Sequence, residues 1–563
     1  MIKSYTNKFN NNLFFKILVA GLFFALSFPP VNFYFLIFFS FIILLDVIFQ
    51  SNSLKQIISR TYKIFFVASL IAVSWIALSG MKEGADPFLI LGGVFIILVY
   101  PLFFVIPSVL FFFIKESFSG KYHLLSLILF PFIWTGFEYV LSLSQISFPW
   151  LLAGNSQTYN LEKLQYIEFT GVYGVSFWVC SVSISLYIFT TNVVNKSFRF
   201  NSVKSISILF VIIALYFLPD FYNYFTDSKK VFTDNKSNGS IKVGIVQPNI
   251  NPWKKWGSKQ TDLINYYAEN IKKIYNENPD IKLIVLPETA LPYYFREDIF
   301  EEKYLILKNL CDSINIPILI GTPDLQVYED QSSAPSDSKI KRSSGIKYDT
   351  FNSAFLFEPG KDKNEFQFHN KIKLVIGSER MPYQEYLPFT KSLIEWGVGL
   401  SSWQMGKDTN VFSINSGEKN YKFITAICYE SVYPGFFADF VNKGSEFSVI
   451  ITNDGWWGKL FGTYQHNQYA VLRAVENRTW IVRCANTGIS CFIDPYGNMY
   501  DKTEIDTDVN TTREIGLKKS KTFYTIHGDL FSQICFAIGI LFFLLSFFFK
   551  TKIIKSDPTI PNP

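Results

Sequence analysis

Residues Tyr421–Glu430 read YKFITAICYE. The run Phe423–Ile427 is short, apolar and partly β-branched, as in a strand buried on both faces. A thiol, Cys428, ends it, and Tyr429, Glu430 and Ser431 follow at once. The carboxyl ends of such strands are where α/β sheets open their sites. Taken alone, one cysteine there reads as a small buried hydrophobe. Neighbouring stretches alter that reading.

Comparable runs recur on both sides: Lys242–Ile250 (KVGIVQPNI), Lys282–Thr289 (KLIVLPET), Pro317–Thr322 (PILIGT), Phe351–Phe357 (FNSAFLF), Ser448–Asn453 (SVIITN) and Trp480–Asp494. Helical stretches separate them; in 261–275, Leu263, Tyr267, Ile271 and Ile274 share one face. The alternation predicts a layered α/β domain over 220–528. The polar, serine-rich segment 326–349 has no periodicity and predicts a surface loop. No internal repeat, Gly-rich phosphate loop or metal-spaced Cys/His cluster is present, so the sequence implies neither metal nor organic cofactor.

The remainder of the 563 residues is of another kind. Hydrophobic residues make up 49% of the chain and charged ones 17%, with 60 phenylalanines, and the mean hydropathy is +0.20. That excludes intrinsic disorder, and six cysteines exclude a disulfide-dense scaffold. The net charge of +6 is too mild to argue for nucleic acid. Apolar runs at about 13–28, 32–49, 62–79, 88–114, 123–143, 170–192, 203–219 and 529–549 predict eight membrane-spanning helices. Three parts follow: a seven-span domain (1–219), an extracytoplasmic domain (220–528), and an eighth span with a cytoplasmic tail (529–563).

Lysine and arginine in the short loops orient the chain. With a cytoplasmic N-terminus, one side carries Lys3, Lys8, Lys55, Arg60, Lys63, Lys115, Lys121, Lys196, Arg199, Lys204, Lys550, Lys552 and Lys555. The other side's short loops offer only Lys82 and Lys163, each beside an acidic residue. The first run also reads as a signal peptide ending near Ala25-Leu26-Ser27; either way the large domain stands on the far side.

Only four histidines exist, none at a family-specific spacing from a cysteine. Leu286-Pro287-Glu288-Thr289 places a carboxylate at one strand end, and Lys371-Ile372-Lys373-Leu374-Val375 places ammonium groups before another apolar run. Each alone reads as a solvated loop or flank. Together they supply base, cation and thiol in one domain, which suffices for acyl transfer without histidine. Cys484 and Cys491 share an apolar stretch and are either core residues or a pair.

The order Glu288, Lys371, Cys428, in the contexts LPETALP, KIKLV and ICYES, resembles the Glu-Lys-Cys triad of the nitrilase superfamily. With seven spans before the domain and one after, the whole chain resembles the bacterial apolipoprotein N-acyltransferase family. GLFFALSFPPVNFY (21–34), FPWLLAGNSQ (148–157), VQPNINPWKKW (246–256), TNDGWWG…QH…R (452–473), NTGIS and DPYG (486–497) carry the likeness.

The resemblance implies an αββα sandwich beside a polytopic helical bundle in the bacterial inner membrane. It implies ping-pong acyl transfer: phospholipid acylates Cys428, and the α-amino group of an S-diacylglyceryl-cysteine apolipoprotein then takes the chain. Glu288 would be the general base, Lys371 the oxyanion stabiliser and Cys428 the nucleophile. Glu379 and Glu430 match the family's further acidic residues and Tyr429 the aromatic beside the nucleophile. Trp256 matches a lid or acyl-chain contact, and Trp150 either such a contact or an interfacial anchor. LVIGSE stands where LVPFGE is commoner, WWG replaces WFG, and Lys373 shares a strand face with Lys371; the spacing to Glu379 favours Lys371. Two other functions compete. One is a membrane-tethered amidase releasing its product to water. The other is a transporter, for which Asp46 and Glu138, both near span ends, are the few ionisable candidates.

Overall fold

The computed structural model describes residues 12–556 apart from 119, 196, 200–201, 227–238, 258, 298–299, 388–402 and 418. Lys3, Lys8 and Lys196 lie outside the described residues. The chain divides into two compact units. One comprises residues 1–77, 91–227 and 529–563; the other comprises 78–90 and 228–528.

The first unit begins with helices α1 (Leu13–Leu26), α2 (Leu36–Phe49), α3 (Leu54–Ala72), α4 (Trp75–Ser79), α5 (Phe88–Ser117), α6 (His123–Leu141), α7 (Ile167–Val194) and α8 (Val203–Thr226). Among the described residues, six helical segments are long and apolar enough to cross a membrane: Leu54–Ser79, Phe88–Ser117, His123–Leu141, Ile167–Val194, Val203–Phe225 and Leu530–Phe548. The first two of the eight expected spans are shorter. Each described helix has 14 residues, about 21 Å at the α-helical rise, against a bilayer core of about 30 Å. The turn around Pro29-Pro30, which holds Ser27–Phe35 out of the helix, takes up the intervening residues. Pro101 and Pro107 both lie inside α5, which runs for 30 residues.

Non-helical backbone inside this apolar bundle needs internal partners, and the stretch 148–157 has them. Glu138 Oε1 accepts from the Trp134 indole and from the Ala153 amide, both at 2.8 Å. The Tyr100 hydroxyl donates to the Phe148 carbonyl at 2.8 Å and accepts from the Leu151 amide at 3.2 Å. Of the two acids singled out as transport candidates, Glu138 is thus a buried fastening, and Asp46 pairs with Lys16 at 2.6 Å.

The second unit contains two sheets. The first is built from β1 (Ser240–Gln247), β2 (Leu283–Val285), β3 (Ile318–Val327), β4 (Lys339–Ile340), β5 (Lys347–Phe357) and β6 (Gln367–Asn370), closed at one edge by a late strand, Val509–Gly516. The second orders β7 (Val411–Ser416), β8 (Lys419–Ile427), β9 (Phe447–Thr452), β10 (Ile481–Ala485), β11 (Cys491–Ile493) and β12 (Met499–Tyr500) side by side. Strands β1, β2 and β3 run parallel, as do β8, β9 and β10.

Alternation sorts the side chains into layers. Val243, Ile245, Leu283 and Val285 meet Phe423, Ile427, Val449 and Ile451 between the sheets. Ile284, Leu286 and Ile320 face the other way, onto Leu263, Tyr267 and Ile271 of α9 (Gln260–Glu277) and Leu307 of α10 (Glu301–Ile314). Helices α11 (Pro434–Asn442) and α12 (Phe461–Asn477) lie against the second sheet, on β8 and β11. The result is an αββα sandwich. After a short helix, α13 (Phe523–His527), helix α14 (Leu530–Ser556) returns to the first unit. There Gly136 of α6 gives it room: a Cβ on that glycine would stand 2.6 Å from Phe536 Cα.

The structure changes one further reading of the sequence and decides another that was open. The segment 326–349 is more than a surface loop. It completes β3, forms β4 and starts β5, and it buries Asp337, which accepts from Gln384 at 3.0 Å and from Arg380 at 2.5 Å. Those partners lie more than 40 positions away, so local composition does not reveal the burial. All six cysteines are free and buried. Cys484 and Cys491 are therefore core residues, the first beside the Val246 and Val285 carbonyls.

Candidate active site

The candidate side chains sit where strands end. The turn after β2 carries Glu288, and its next residue, Thr289, takes a left-handed φ of 49°. That turn rests directly on Gly321 of β3, where a Cβ would lie 2.4 Å from the Pro287 carbonyl oxygen and 2.6 Å from Glu288 Cα. Lys371 follows β6; its amide donates to the Asn352 carbonyl and its carbonyl accepts from Gly406, both at 2.8 Å. Cys428 follows β8 with φ 52°, a conformation costing a non-glycine residue about 1–2 kcal/mol. Its carbonyl is held by the Ser431 hydroxyl at 2.8 Å and lies 3.1 Å from His466 Nε2.

The structure brings Glu288, Lys371 and Glu379 into direct contact. Lys371 Nζ donates to Glu288 Oε1 at 3.0 Å and to Glu379 Oε1 at 2.8 Å. Asn352 Nδ2, on β5, donates to the same two oxygens at 2.8 and 3.1 Å. Lys371 is almost fully buried, 1% exposed. Burial works against its charge, but Glu288 first and then Glu379 outweigh that and push the ammonium's pKa well above its ordinary value. Lys373 goes elsewhere: its Nζ stands over the Tyr433 ring, 5.1 Å from the centroid.

Cys428 lies within electrostatic reach of both Glu288 and Lys371. Burial pushes the thiol well up, the Glu288 charge adds to this, and Lys371 opposes it. The resting sulfur is therefore a neutral thiol that needs a base when it attacks, unlike thiols preset as thiolates.

Glu430 is a brace. Its carboxylate accepts from the amides of Ile427 at 2.7 Å and Ile372 at 2.6 Å, and lies 3.1 Å from His369 Nε2. One side chain thus fixes the chain leading to Cys428 against the chain beyond Lys371. Burial raises the Glu430 carboxyl, yet His369 and the amides hold it below the usual range. Tyr429 is buried and meets Tyr433 edge-on, with centroids 5.2 Å apart. Trp256 is half-buried in the short turn Lys255–Gly257 after β1. Trp150 belongs to the first unit, where it stacks on Phe148 at 5.5 Å and meets Trp75 at 5.2 Å.

Sequence reasoning assigned no role to Asn352, His369, Asp454, His466, Arg483 or Lys255. Asp454 and His466 lie inside the stretch TNDGWWG…QH…R, but no spacing rule marks them. Asp454 Oδ2 accepts from Arg483 and Oδ1 from Thr452, each at 2.8 Å, with His466 Nδ1 also 2.8 Å from Oδ1. Burial raises this carboxyl, and Arg483 with His466 overturns that and holds it far below the usual range. Donor atoms of Cys428, Asp454 and His466 lie within 4.8 Å of one another, a spacing a cation uses. The Arg483 guanidinium already takes the carboxylate, and that fixed charge opposes a metal ion there.

Both units have counterparts among known proteins. Residues 20–185 match the apolipoprotein N-acyltransferase N-terminal domain, and residues 242–514 match the carbon-nitrogen hydrolase domain. The apolipoprotein N-acyltransferase of Chlorobaculum tepidum is 31% identical over 93% of this chain and 95% of its own. The chain belongs to the apolipoprotein N-acyltransferase family. Within that family, the enzyme of Geobacter metallireducens is 28% identical over 92% of each chain. Apolipoprotein N-acyltransferase 1 of Treponema denticola is 28% identical over 80% of this chain and 83% of its own. The nitrilase-like sandwich is the carbon-nitrogen hydrolase part of the family's architecture, and the apolar helices of residues 20–185 are its N-terminal part.

Proposed function

We propose that this protein is a lipoprotein N-acyltransferase that moves an acyl chain from a phospholipid to the N-terminal α-amino group of an S-diacylglyceryl-cysteine apolipoprotein. The observation that carries the chemistry is the Lys371 ammonium shared by Glu288 and Glu379, with the buried Cys428 thiol within the field of Glu288 and Lys371. Family membership supports the acceptor.

In the first half-reaction Glu288 takes the thiol proton as Sγ attacks the ester carbonyl. Lys371 faces the developing oxyanion. The C–O bond breaks, Glu288 returns its proton to the leaving lysophospholipid oxygen, and a thioester remains on Cys428. In the second, the acceptor amine attacks the thioester carbonyl and the C–S bond breaks. The nitrogen's proton passes through Glu288 to the sulfur, and the product is an amide. Glu379 and Glu430 serve as positioning residues, and Tyr429 and Trp256 as contacts for the substrates; Trp150, in the other unit, is either such a contact or an interfacial anchor.

The placement proposed for this chemistry is the periplasmic face of the inner membrane, with both termini cytoplasmic, as the lysine and arginine distribution supports. Both substrates are anchored in lipid by their acyl chains. A domain joined at both ends to apolar helices meets them without extracting those chains into water.

Intact-mass measurement of the full-length protein after exposure to phospholipid tests the reading. A mass gain of one acyl chain is expected, lost in Cys428→Ser and discharged by a diacylated lipopeptide to give a triacylated product. Absence of the adduct, or its discharge to water alone, overturns the reading.

A further inference from the structure

Lys255, on the turn after β1, is an amine in an unusual position. It is 1% exposed, and no carboxylate approaches it within ion-pair distance among the described residues. Its Nζ donates to the Thr289 hydroxyl at 2.8 Å, and Thr289 adjoins Glu288 on the same tight turn. The titratable group that acts on it is Glu288. Glu288 in turn contacts Lys371, which also contacts Glu379, and acts on Cys428, on which Asp454 acts as well.

The acceptor of the proposed reaction, on which this inference rests, raises a proton problem. An α-amino group has a pKa of about 7.7–8.0, so at neutral pH most of it arrives as ammonium, which is no nucleophile. Two protons must leave that nitrogen before an amide exists. One returns to the sulfur by way of Glu288; the other needs a second base. Lys371 is held charged by two carboxylates. His369 and His466 are taken up by Glu430 and Asp454. Lys255 remains.

We propose that Lys255 is the second base of the aminolysis step, receiving through Glu288 the surplus proton that the acceptor's ammonium group brings. The first proton passes from the ammonium to the Glu288 carboxylate and then, through a solvent molecule in the gap beyond ion-pair distance, to the Lys255 amine, leaving the carboxylate free again. The neutral amine then attacks the thioester carbonyl, its remaining surplus proton reaches the Cys428 sulfur through Glu288, and Lys255 releases its proton to water after the product departs. Burial suits the amine to this role, because it lowers Lys255 to about 7 while the Glu288 charge partly opposes it.

The test separates the two half-reactions in the full-length protein. Acyl-enzyme formation from phospholipid and its discharge by a synthetic diacylated lipopeptide are followed by intact mass from pH 6 to 9.5. In Lys255→Met at pH 7, discharge should fall at least tenfold more than acylation does. The gap should close to within threefold at pH 9.5, where the acceptor arrives as free amine. Lys255→Arg, which keeps a charge but cannot give it up, should share the discharge defect, and Thr289→Val, which removes the anchor, should show the same split more mildly. Equal losses in both half-reactions, a deficit constant across pH, or full discharge activity in Lys255→Arg would each overturn the inference. A wild-type protein that forms no acyl-enzyme would instead sink the proposed function on which it rests.

Discussion

Asn352 and Lys371 are joined through the backbone and again through their targets: the Lys371 amide donates to the Asn352 carbonyl at 2.8 Å, and both side chains reach Glu288 Oε1 and Glu379 Oε1. The carboxamide is thus a neutral donor beside a charged one, and together they keep two carboxylates side by side. Asn352→Ala removes one donor from the buried Glu288 and one from the partly buried Glu379, an expected cost of about 1–3 kcal/mol. Misplacement of Glu288 should slow acyl-enzyme formation by about a hundredfold. Asn352→Asp should be worse on both counts, because a third negative charge then faces the other two. Thermal unfolding and single-turnover acylation of the three proteins check the order wild type, Ala, Asp.

Glu288→Gln should separate acidity from base catalysis at Cys428. The Glu288 charge is, after burial, the next influence raising the thiol. Removing it lowers the thiol's pKa, so the ionised fraction at a given alkaline pH rises. Acylation by phospholipid should still fall by about 10²–10⁴, since the group that takes the proton is gone. Iodoacetamide labelling of Cys428 against pH checks the first half: its rise should begin at lower pH in Glu288→Gln. A rise displaced to higher pH would show that the carboxylate's charge does not act on the sulfur.

Much of this was legible in the sequence, for identifiable reasons. The strands Leu283–Val285 and Lys419–Ile427 announce themselves in the runs Lys282–Thr289 and Tyr421–Glu430, because residues buried on both faces leave a mostly apolar stretch. The apolar helices do so because lipid tolerates little else. The short edge strands β4, β6, β7 and β12 were not legible, since an exposed or half-exposed strand of two to six residues leaves no distinctive pattern. Asn352 was hidden for a related reason: within FNSAFLF it is one of two polar residues in a mostly apolar run, and only its neighbours across space show what its amide does. Lys255 reads as half of a lysine pair, and its burial follows from the turn at Thr289, more than 30 positions on. The first two apolar runs looked like full spans because hydropathy registers composition and not where the turn at Pro29-Pro30 ends a helix.

Gly321 should be intolerant of any side chain. A Cβ there would press on the Pro287 carbonyl and on the Glu288 and Thr289 backbone at 2.4–2.6 Å, and backbone cannot swing aside as a flexible side chain does. Gly321→Ala is expected to cost about 1–3 kcal/mol and to displace the carboxylate from Lys371. Acylation should drop about a hundredfold while the protein stays folded. Unchanged acylation in Gly321→Ala would mean that the turn can move without consequence for Glu288.

Arg483 should govern acid stability. Because Asp454 is held below the usual carboxylate range, it contributes stability that is complete above its unfolded pKa of about 3.9. That contribution is lost as pH falls through the lower folded value. Arg483→Met withdraws the largest charge opposing burial. The unfolding midpoint should drop at neutral pH by the equivalent of about 3–5 kcal/mol, and less stability should then be lost on acidification, so the two proteins draw together at low pH. Melting curves from pH 3 to 8 check both; parallel curves for the two proteins would show that the guanidinium does not set the state of Asp454.

In the other unit, Glu138 should act as an oxygen acceptor rather than as a charge. One of its oxygens, Oε1, satisfies both the Trp134 indole and the Ala153 amide, donors with no water to turn to inside an apolar bundle. Glu138→Gln retains a side-chain oxygen at that point and should lose little stability. Glu138→Ala strands two buried donors, at about 1–3 kcal/mol each, and loosens the stretch 148–157 that carries Trp150. Limited proteolysis within that stretch, read beside thermal unfolding, distinguishes the variants: protection in Glu138→Gln and cleavage in Glu138→Ala are expected. If both variants are cleaved alike, the negative charge itself is what holds the stretch in place.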